Sequence, residues 1–300
     1  MNKISSLIFI VLIAFVYSCK QDTGKRDSFK PVFSTYNADS TGTDTAGKRY
    51  EIHYGVLTPV EVCDIFNRLG ISYDMAALNP VSNADLYLSS ARAAINEGIY
   101  GVDFGYLKIF GVGQKMIDYM VTVRDLADKL GIPDDYISST FKSMQDDMAE
   151  PDTIINLMNR VYTRIENHLR ESGRESTAGL IVLGGWVEAM YIATQVAYNP
   201  QNPDPQVVQK IAEQKYTLNS LLSFMKNYYD DPVVVYYTKK LKYLKNYFDS
   251  FEIYFREGDL EIDTARQVFI ASGSQMTITV ATLDNIRRYI AGLRKEMVTP

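Results

Sequence analysis

Ala178–Tyr198, AGLIVLGGWVEAMYIATQVAY, is the stretch on which the fold turns. Its apolar residues return on nearly every side of a helix instead of along one stripe, the pattern of a helix enclosed by others. A single acid, Glu188, interrupts it, and Asn199-Pro200 followed by Asn202-Pro203 ends it. Gly184-Gly185 sits in its middle. Each glycine inside a helix costs about 1 kcal/mol relative to alanine, so the pair implies a compensating close approach by a crossing helix.

Towards the C-terminus, Asp204 to Tyr229 carries an apolar stripe at Val207, Ile211, Leu218, Leu221 and Met225. After Asp231-Pro232 the residues Val234, Tyr237, Leu241, Leu244, Phe248, Phe251 and Phe255 alternate steps of three and four, a seam for a partner helix. A last helix is predicted from Thr282 to Met297. Between them, β-branched residues around Ser272-Gly273 within Gln267–Thr279 hint at a strand pair.

Towards the N-terminus, Pro151 opens a helix with the stripe Ile154, Met158, Val161, Ile165 and Leu169, and Asp134–Glu150 reads as a modest amphipathic helix. Met116, Met120, Val123, Ala127 and Leu130 mark another, stopped by Gly131 and Pro133. Gly111-Val112-Gly113 separates it from a helix over Ile99–Phe110, and Ser82 or Asn83 can cap a helix reaching Asn96. Thr58-Pro59-Val60-Glu61 is a capping box with proline at the first helical position, and that helix should stop at Gly70. The fold class is all-α: an irregular antiparallel multi-helix bundle of about ten helices joined by short loops. No fixed-period repeat is present, which sets a solenoid aside.

Gly98, Gly101 and Gly105 are spaced three and four apart, hence on one helical face. The helix bearing them should cross the helix bearing Gly184 and Gly185, near Gly101 and Gly184. Each glycine patch carries an acid in an apolar setting. Asp103 lies within Tyr100-Gly101-Val102-Asp103, and Glu188 follows Trp186 by two residues. A buried carboxylate must be paired or neutralised, and Arg92, Arg160 and Arg164 are candidate partners. Tyr100, Asp103, Trp186 and Glu188 thus form a candidate ligand or buried polar site. They are either a structural ion pair or a shared pocket with a raised pKa, able to act as an acid/base pair.

The chain opens with Lys3, an apolar run from Leu7 to Val16, and Tyr17-Ser18-Cys19. This is the pattern of a secretory signal, and the run is too short for a bilayer, which needs about 20 residues. A cysteine directly after the cut is the acceptor of diacylglycerol, so Cys19 is the predicted lipidation site. Tyr17 departs from the usual small residue. Lys20 in place of Asp favours the outer membrane. The chain divides into a signal over 1–18, a flexible tether over 19–49 and one all-α domain over 50–300. As a coil of 5–6 Å × √n, the polar tether reaches roughly 30 Å. A Cys19–Cys63 disulfide is the competing use of these thiols.

A net charge of −5 argues against nucleic acid as a partner. His53 and His168 stand far apart with no cysteine beside them, so no zinc site of usual ligands is expected, and no cofactor is implied. No phosphate-cradling loop, nucleophile elbow or His-Glu-x-x-His is present, which favours a non-enzymatic protein. The 22 tyrosines crowd late, at Tyr228, Tyr229, Tyr236, Tyr237, Tyr243, Tyr247 and Tyr254, interleaved with Lys239, Lys240, Lys242 and Lys245. Such rings either widen a core face or form a surface for a protein or a sugar.

With the Cys19 signal, the segments Tyr100-Gly101-Val102-Asp103 (with Tyr106) and Gly184-Gly185-Trp186-Val187-Glu188 resemble a group of uncharacterised helical lipoproteins of Bacteroidota, over about Pro59 to Gln195. The resemblance implies an envelope location and no assigned activity. The expectation is therefore a lipid-anchored envelope protein that binds a protein partner or small ligand. The alternatives are a hydrolase-type enzyme using Asp103 and Glu188, and a glycan-binding accessory lipoprotein using the late tyrosines.

Overall fold

The computed structural model describes residues 33–34, 73–138, 161, 164–254, 260–263, 268–271 and 275–299. Cys19, Cys63, His53, the capping box at Thr58 and the stripe residues Ile154, Met158 and Phe255 lie outside them.

Among the described residues six long helices build the body, and four of them begin where a side chain satisfies the first free amides. Helix α1 (Ser90–Ile109) is capped by Ser89, which accepts from the Arg92 N–H. Helix α2 (Gly113–Lys129) follows the turn at Gly111, whose φ is +63°. It closes at Gly131 (φ +62°), where Ile132 N–H donates to the Ala127 carbonyl at 2.9 Å. Helix α3 (Glu175–Ile192) continues into a π-type turn over Ala193–Ala197. Helices α4 (Pro205–Met225) and α5 (Pro232–Asp249) start with proline behind the aspartate caps Asp204 and Asp231. Helix α6 (Val280–Val298) is capped by Thr279.

The protein is all-α in its main body, with α3 at the hub. It packs most extensively on α1 and also meets α4, α5 and α6. By length and composition Glu175–Ala197 could cross a membrane, but 67% of its most apolar window is buried inside the protein, as befits a core helix. The a/d seam of α5 holds from Val234 through Leu241 and Leu244 to Phe248, all buried, with Tyr237 at its edge; the helix stops at Asp249, short of the expected seam, so Phe251 is buried from the connection beyond it and Ile253–Tyr254 is strand.

Two expectations are corrected. Residues 81–96 and 99–110 do not form two helices. Val81–Leu86 is a 3₁₀ turn, and α1 runs unbroken through Gly98. Ser89, not Ser82 or Asn83, is the cap: Asn83 lies inside the 3₁₀ turn, where its amide donates to Asn79 Oδ1 at 2.9 Å. Gly98 does not end a helix because its missing side chain is what admits α3.

Short strands flank the bundle: β1 (Phe33–Ser34), β2 (Ile253–Tyr254), β3 (Leu260–Asp263), β4 (Val268–Ala271) and β5 (Gln275–Met276). Strand β4 lies antiparallel between β1 and β3, with Phe269 opposite both Phe33 and Ile262, while β5 pairs with β2. Gln267–Thr279 therefore does contain strands, but each finds its partner outside that stretch. Phe33 and Ser34, placed by composition in the tether, form β1. Val32-Phe33 is a locally strand-favouring pair within an otherwise polar run.

Candidate functional site

The glycines place α1 and α3 in backbone contact. A Cβ on Gly98 would lie 2.0 Å from the Ile181 carbonyl oxygen, and one on Gly184 would lie 1.9 Å from that of Ile95. Gly185 faces Gly98 and Val102 at ordinary contact distance. The contact line on α1 thus runs through Ile95, Gly98 and Val102. Gly101 is off this line: a Cβ there would meet nothing within 4 Å. The crossing is centred at Gly98 and Gly184, not at Gly101, because Gly101 is rotated by about 60° from Gly98 on a helix of 3.6 residues per turn. Gly105 is half-buried further along the same helix.

That close approach brings Asp103 and Glu188, both 0% exposed, into one polar cluster. The cation in it is Arg294 of α6. Its Nε donates to Glu188 Oε2 at 2.9 Å and its Nη2 to Glu188 Oε1 at 3.0 Å, a bidentate pair, and Nη2 also reaches the Ala77 carbonyl at 3.1 Å. Arg92 and Arg164 are not the partner, since Arg92 turns to the Thr299 carbonyl and Arg164 to Asp135, while Arg160 lies outside the described residues. Asp103 Oδ2 accepts from the Asn79 N–H at 3.0 Å, while Oδ1 has no donor among the described residues. Burial, and then the Glu188 charge, hold the Asp103 carboxyl well above its ordinary range; Arg294 and the Asn79 N–H oppose this. Protonated, Asp103 becomes the donor that its orphaned oxygen needs towards Glu188. Burial alone raises Glu97 in the same way.

Around this core the network reaches the chain end. Asn79 Nδ2 donates to Tyr87 Oη at 3.0 Å and to Asn96 Oδ1 at 3.2 Å. Asn96 Nδ2 donates to the Met297 carbonyl at 3.0 Å, and Tyr87 Oη to the Val298 carbonyl at 2.9 Å. Arg92 holds the Thr299 carbonyl. Tyr100, fully buried, donates to the Pro80 carbonyl at 2.8 Å. Trp186 belongs elsewhere: its Nε1 donates to Thr217 Oγ1 on α4 at 3.1 Å. His168 Nε2 lies 2.9 Å from the Gly131 carbonyl, a satisfied edge histidine. No cluster of three or more His, Cys, Asp or Glu that could hold a metal occurs among the described residues.

The late tyrosines divide. Tyr237 is buried to 9% exposure, and burial pushes its phenol up to about 12. Tyr236 and Tyr243 stay exposed at 49% and 55%. Tyr243 stacks on Tyr289 of α6, with centroids 5.3 Å apart and planes at 25°. Tyr236 Oη donates to Glu296 Oε1 at 2.9 Å, and Lys240 Nζ to Glu296 Oε2 at 2.7 Å.

Arg294, Asn79 and Asn96 escaped the sequence reading. One signal pointed to Arg294: it interrupts the apolar stripe Ile286, Ile290, Leu293 and Met297. Fold and cluster together define an all-α protein with a sealed internal acid–arginine centre and an exposed tyrosine face. Comparison with protein-family models, with curated proteins and with solved structures finds no match for this chain.

Proposed function

We propose that this chain is a lipid-anchored, non-enzymatic binding or scaffolding protein of the cell envelope, tethered through Cys19 at the outer membrane and working through its helical surface. The signal pattern Lys3, Leu7–Val16 and Ser18-Cys19 supports the anchor, and the resemblance to helical lipoproteins of Bacteroidota points the same way. The observation that carries the non-enzymatic part is the burial of Asp103 and Glu188. At 0% exposure, Glu188 held by Arg294 and Asp103 by the Asn79 N–H, neither offers a group to a substrate. The hydrolase alternative built on them lacks an open cleft.

Labelling cells with radioactive palmitate tests the anchor. The full chain should incorporate label and stay with envelopes through a high-salt wash, and Cys19→Ser should do neither. A labelled or envelope-retained Cys19→Ser variant would overturn the proposal.

A second reading is favoured by one observation, the exposed Tyr243 ring on the α5–α6 face: a glycan-binding accessory lipoprotein. The C–H face of a sugar ring is apolar and packs on the electron-rich face of an aromatic ring.

A further inference from the structure

Residues 74–88 lead into α1 as a strap laid across the acid–arginine centre. Asn79-Pro80 keeps the strap from becoming one helix, because a residue before proline avoids the helical region. Two short 3₁₀ turns result, Met75–Ala77 and Val81–Leu86. Ala77, Leu78, Ala84 and Tyr87 are buried, whereas Met75, Leu86 and Leu88 stand exposed. Little apolar burial therefore holds the strap down.

Side chains fasten it instead. Among the described residues, its main-chain hydrogen bonds to other main chain close locally, as from the Leu78 N–H to the Met75 carbonyl and from the Asn83 N–H to that of Pro80. Its remaining backbone groups are met by side chains of α1, α2 and α6. Tyr106 Oη accepts from the Asp74 N–H at 3.0 Å, Tyr119 Oη donates to the Asn79 carbonyl at 2.8 Å, and Lys129 Nζ donates to that of Ala84 at 3.3 Å. Between these, Arg294 holds the Ala77 carbonyl, Asp103 the Asn79 N–H and Tyr100 the Pro80 carbonyl. The middle of the strap is thus fixed to Asp103 and Arg294, the two groups that also meet Glu188.

That centre sets two acids against one cation. With a proton on Asp103 it is neutral. With Asp103 charged it carries a net charge in a dry interior, which is costly unless water or a counter-ion reaches it. Helices α1 and α3 form a fixed floor, in backbone contact at Gly98 and Gly184. The strap is the cover that can lift at the loss of side-chain fastenings alone, and segments with few buried apolar contacts are the ones that open locally. The other titratable groups facing Asp103 are Tyr73 ahead of the strap, Tyr100 and Tyr106 on α1, and Tyr119 on α2. Burial holds each of these phenols above its ordinary 10.0, so Asp103 titrates before them.

We propose that residues 74–88 open from the bundle as a unit when Asp103 takes on charge beside Glu188, making them a pH-operated strap over the acid–arginine centre. The closed strap keeps the proton on Asp103 above its ordinary 3.8, and the open strap, with water at the carboxyl, releases it. The advantage of the closed state is therefore fully present below 3.8 and is lost as pH rises through the closed-state value. For one proton the opening constant rises by up to about tenfold per pH unit in that window.

Hydrogen–deuterium exchange of the full chain in detergent, corrected for intrinsic rates and read by mass spectrometry at pH 5, 6.5 and 8, tests this. Strap peptides should be at least tenfold less protected than peptides of α3 at every pH, and should lose a further tenfold or more from pH 5 to pH 8. Asp103→Asn should flatten the strap's response. Glu97→Gln removes the other buried acid with a raised value and should leave that response in place. Tyr119→Phe takes away one fastening without touching the acids, so it should lower strap protection at all three pH values with the slope kept. Equal protection of strap and α3 would show that the strap opens only with the whole body, and would overturn the proposal. So would a strap indifferent to pH, a response that persists in Asp103→Asn, or one abolished by Glu97→Gln. Should Asp103→Asn fail to fold, the contrast of strap with α3 in the parent and the Glu97→Gln response decide the matter.

Discussion

Arg294 is the residue whose removal should hurt most. Without it Glu188 is a buried charge with no counter-ion, and breaking a buried pair costs about 3–5 kcal/mol. Arg294→Ala should lose that much in urea unfolding. Glu188→Leu combined with Arg294→Met should lose far less, because no charge is then stranded. Asp103 behaves differently. Its folded pKa lies above the ordinary 3.8, so from about that pH upward the unfolded chain releases a proton that the folded chain keeps. Stability therefore falls as pH rises above 3.8 towards the folded value, and Glu97 adds a fall of the same sign above its ordinary 4.5. Asp103→Asn keeps an acceptor for Asn79 and a donor for Glu188. Melting temperatures measured from pH 5 to pH 8 should fall less steeply for this variant than for the parent, and an identical slope would count against a protonated Asp103.

At the scale of elements, α1 and α3 meet on backbone at Gly98 and Gly184. Alanine at either position must displace a carbonyl of the opposing helix, and overpacking of this kind costs about 3 kcal/mol or more. Gly101→Ala faces open space and should gain about 0.5–1 kcal/mol of helix propensity. Thermal melts of these three variants separate the true crossing from the expected one. The same contrast shows what a sequence can reveal. Periodicity located the seam of α5 and the stripes of α2 and α4, because burial repeats with the helical turn. It could not say which of Gly98 and Gly101 touches α3, since the two are three residues apart and only the direction of approach decides between them. Nor could it foresee that Gly98 continues α1 instead of breaking it, because a glycine reads as an interruption until its neighbour is known.

Across the whole molecule, the all-α architecture was legible and the wiring of the polar centre was not. Glu188 and Arg294 are separated by 106 residues, and no local pattern joins them. The donors Asn96 and Tyr87 close on carbonyls of Met297 and Val298, so the last turn of α6 is a structural part. Deleting residues 297–300 removes those acceptors and the buried Met297 side chain. It should cost about 2 kcal/mol or more, since each buried polar group left unpaired costs about 1–3 kcal/mol. Faster amide exchange in α1 would accompany it, and an unchanged melt would show that the end is dispensable.

Arg294 also governs when the body can close. It is made 106 residues after Glu188, and until it arrives Glu188 has no counter-charge in the hub helix. A growing chain that lacks α6 should remain open to proteases on the ribosome however many helices have already emerged. Closure of the body would then wait on the arrival of α6 and not follow the order in which the earlier helices appear.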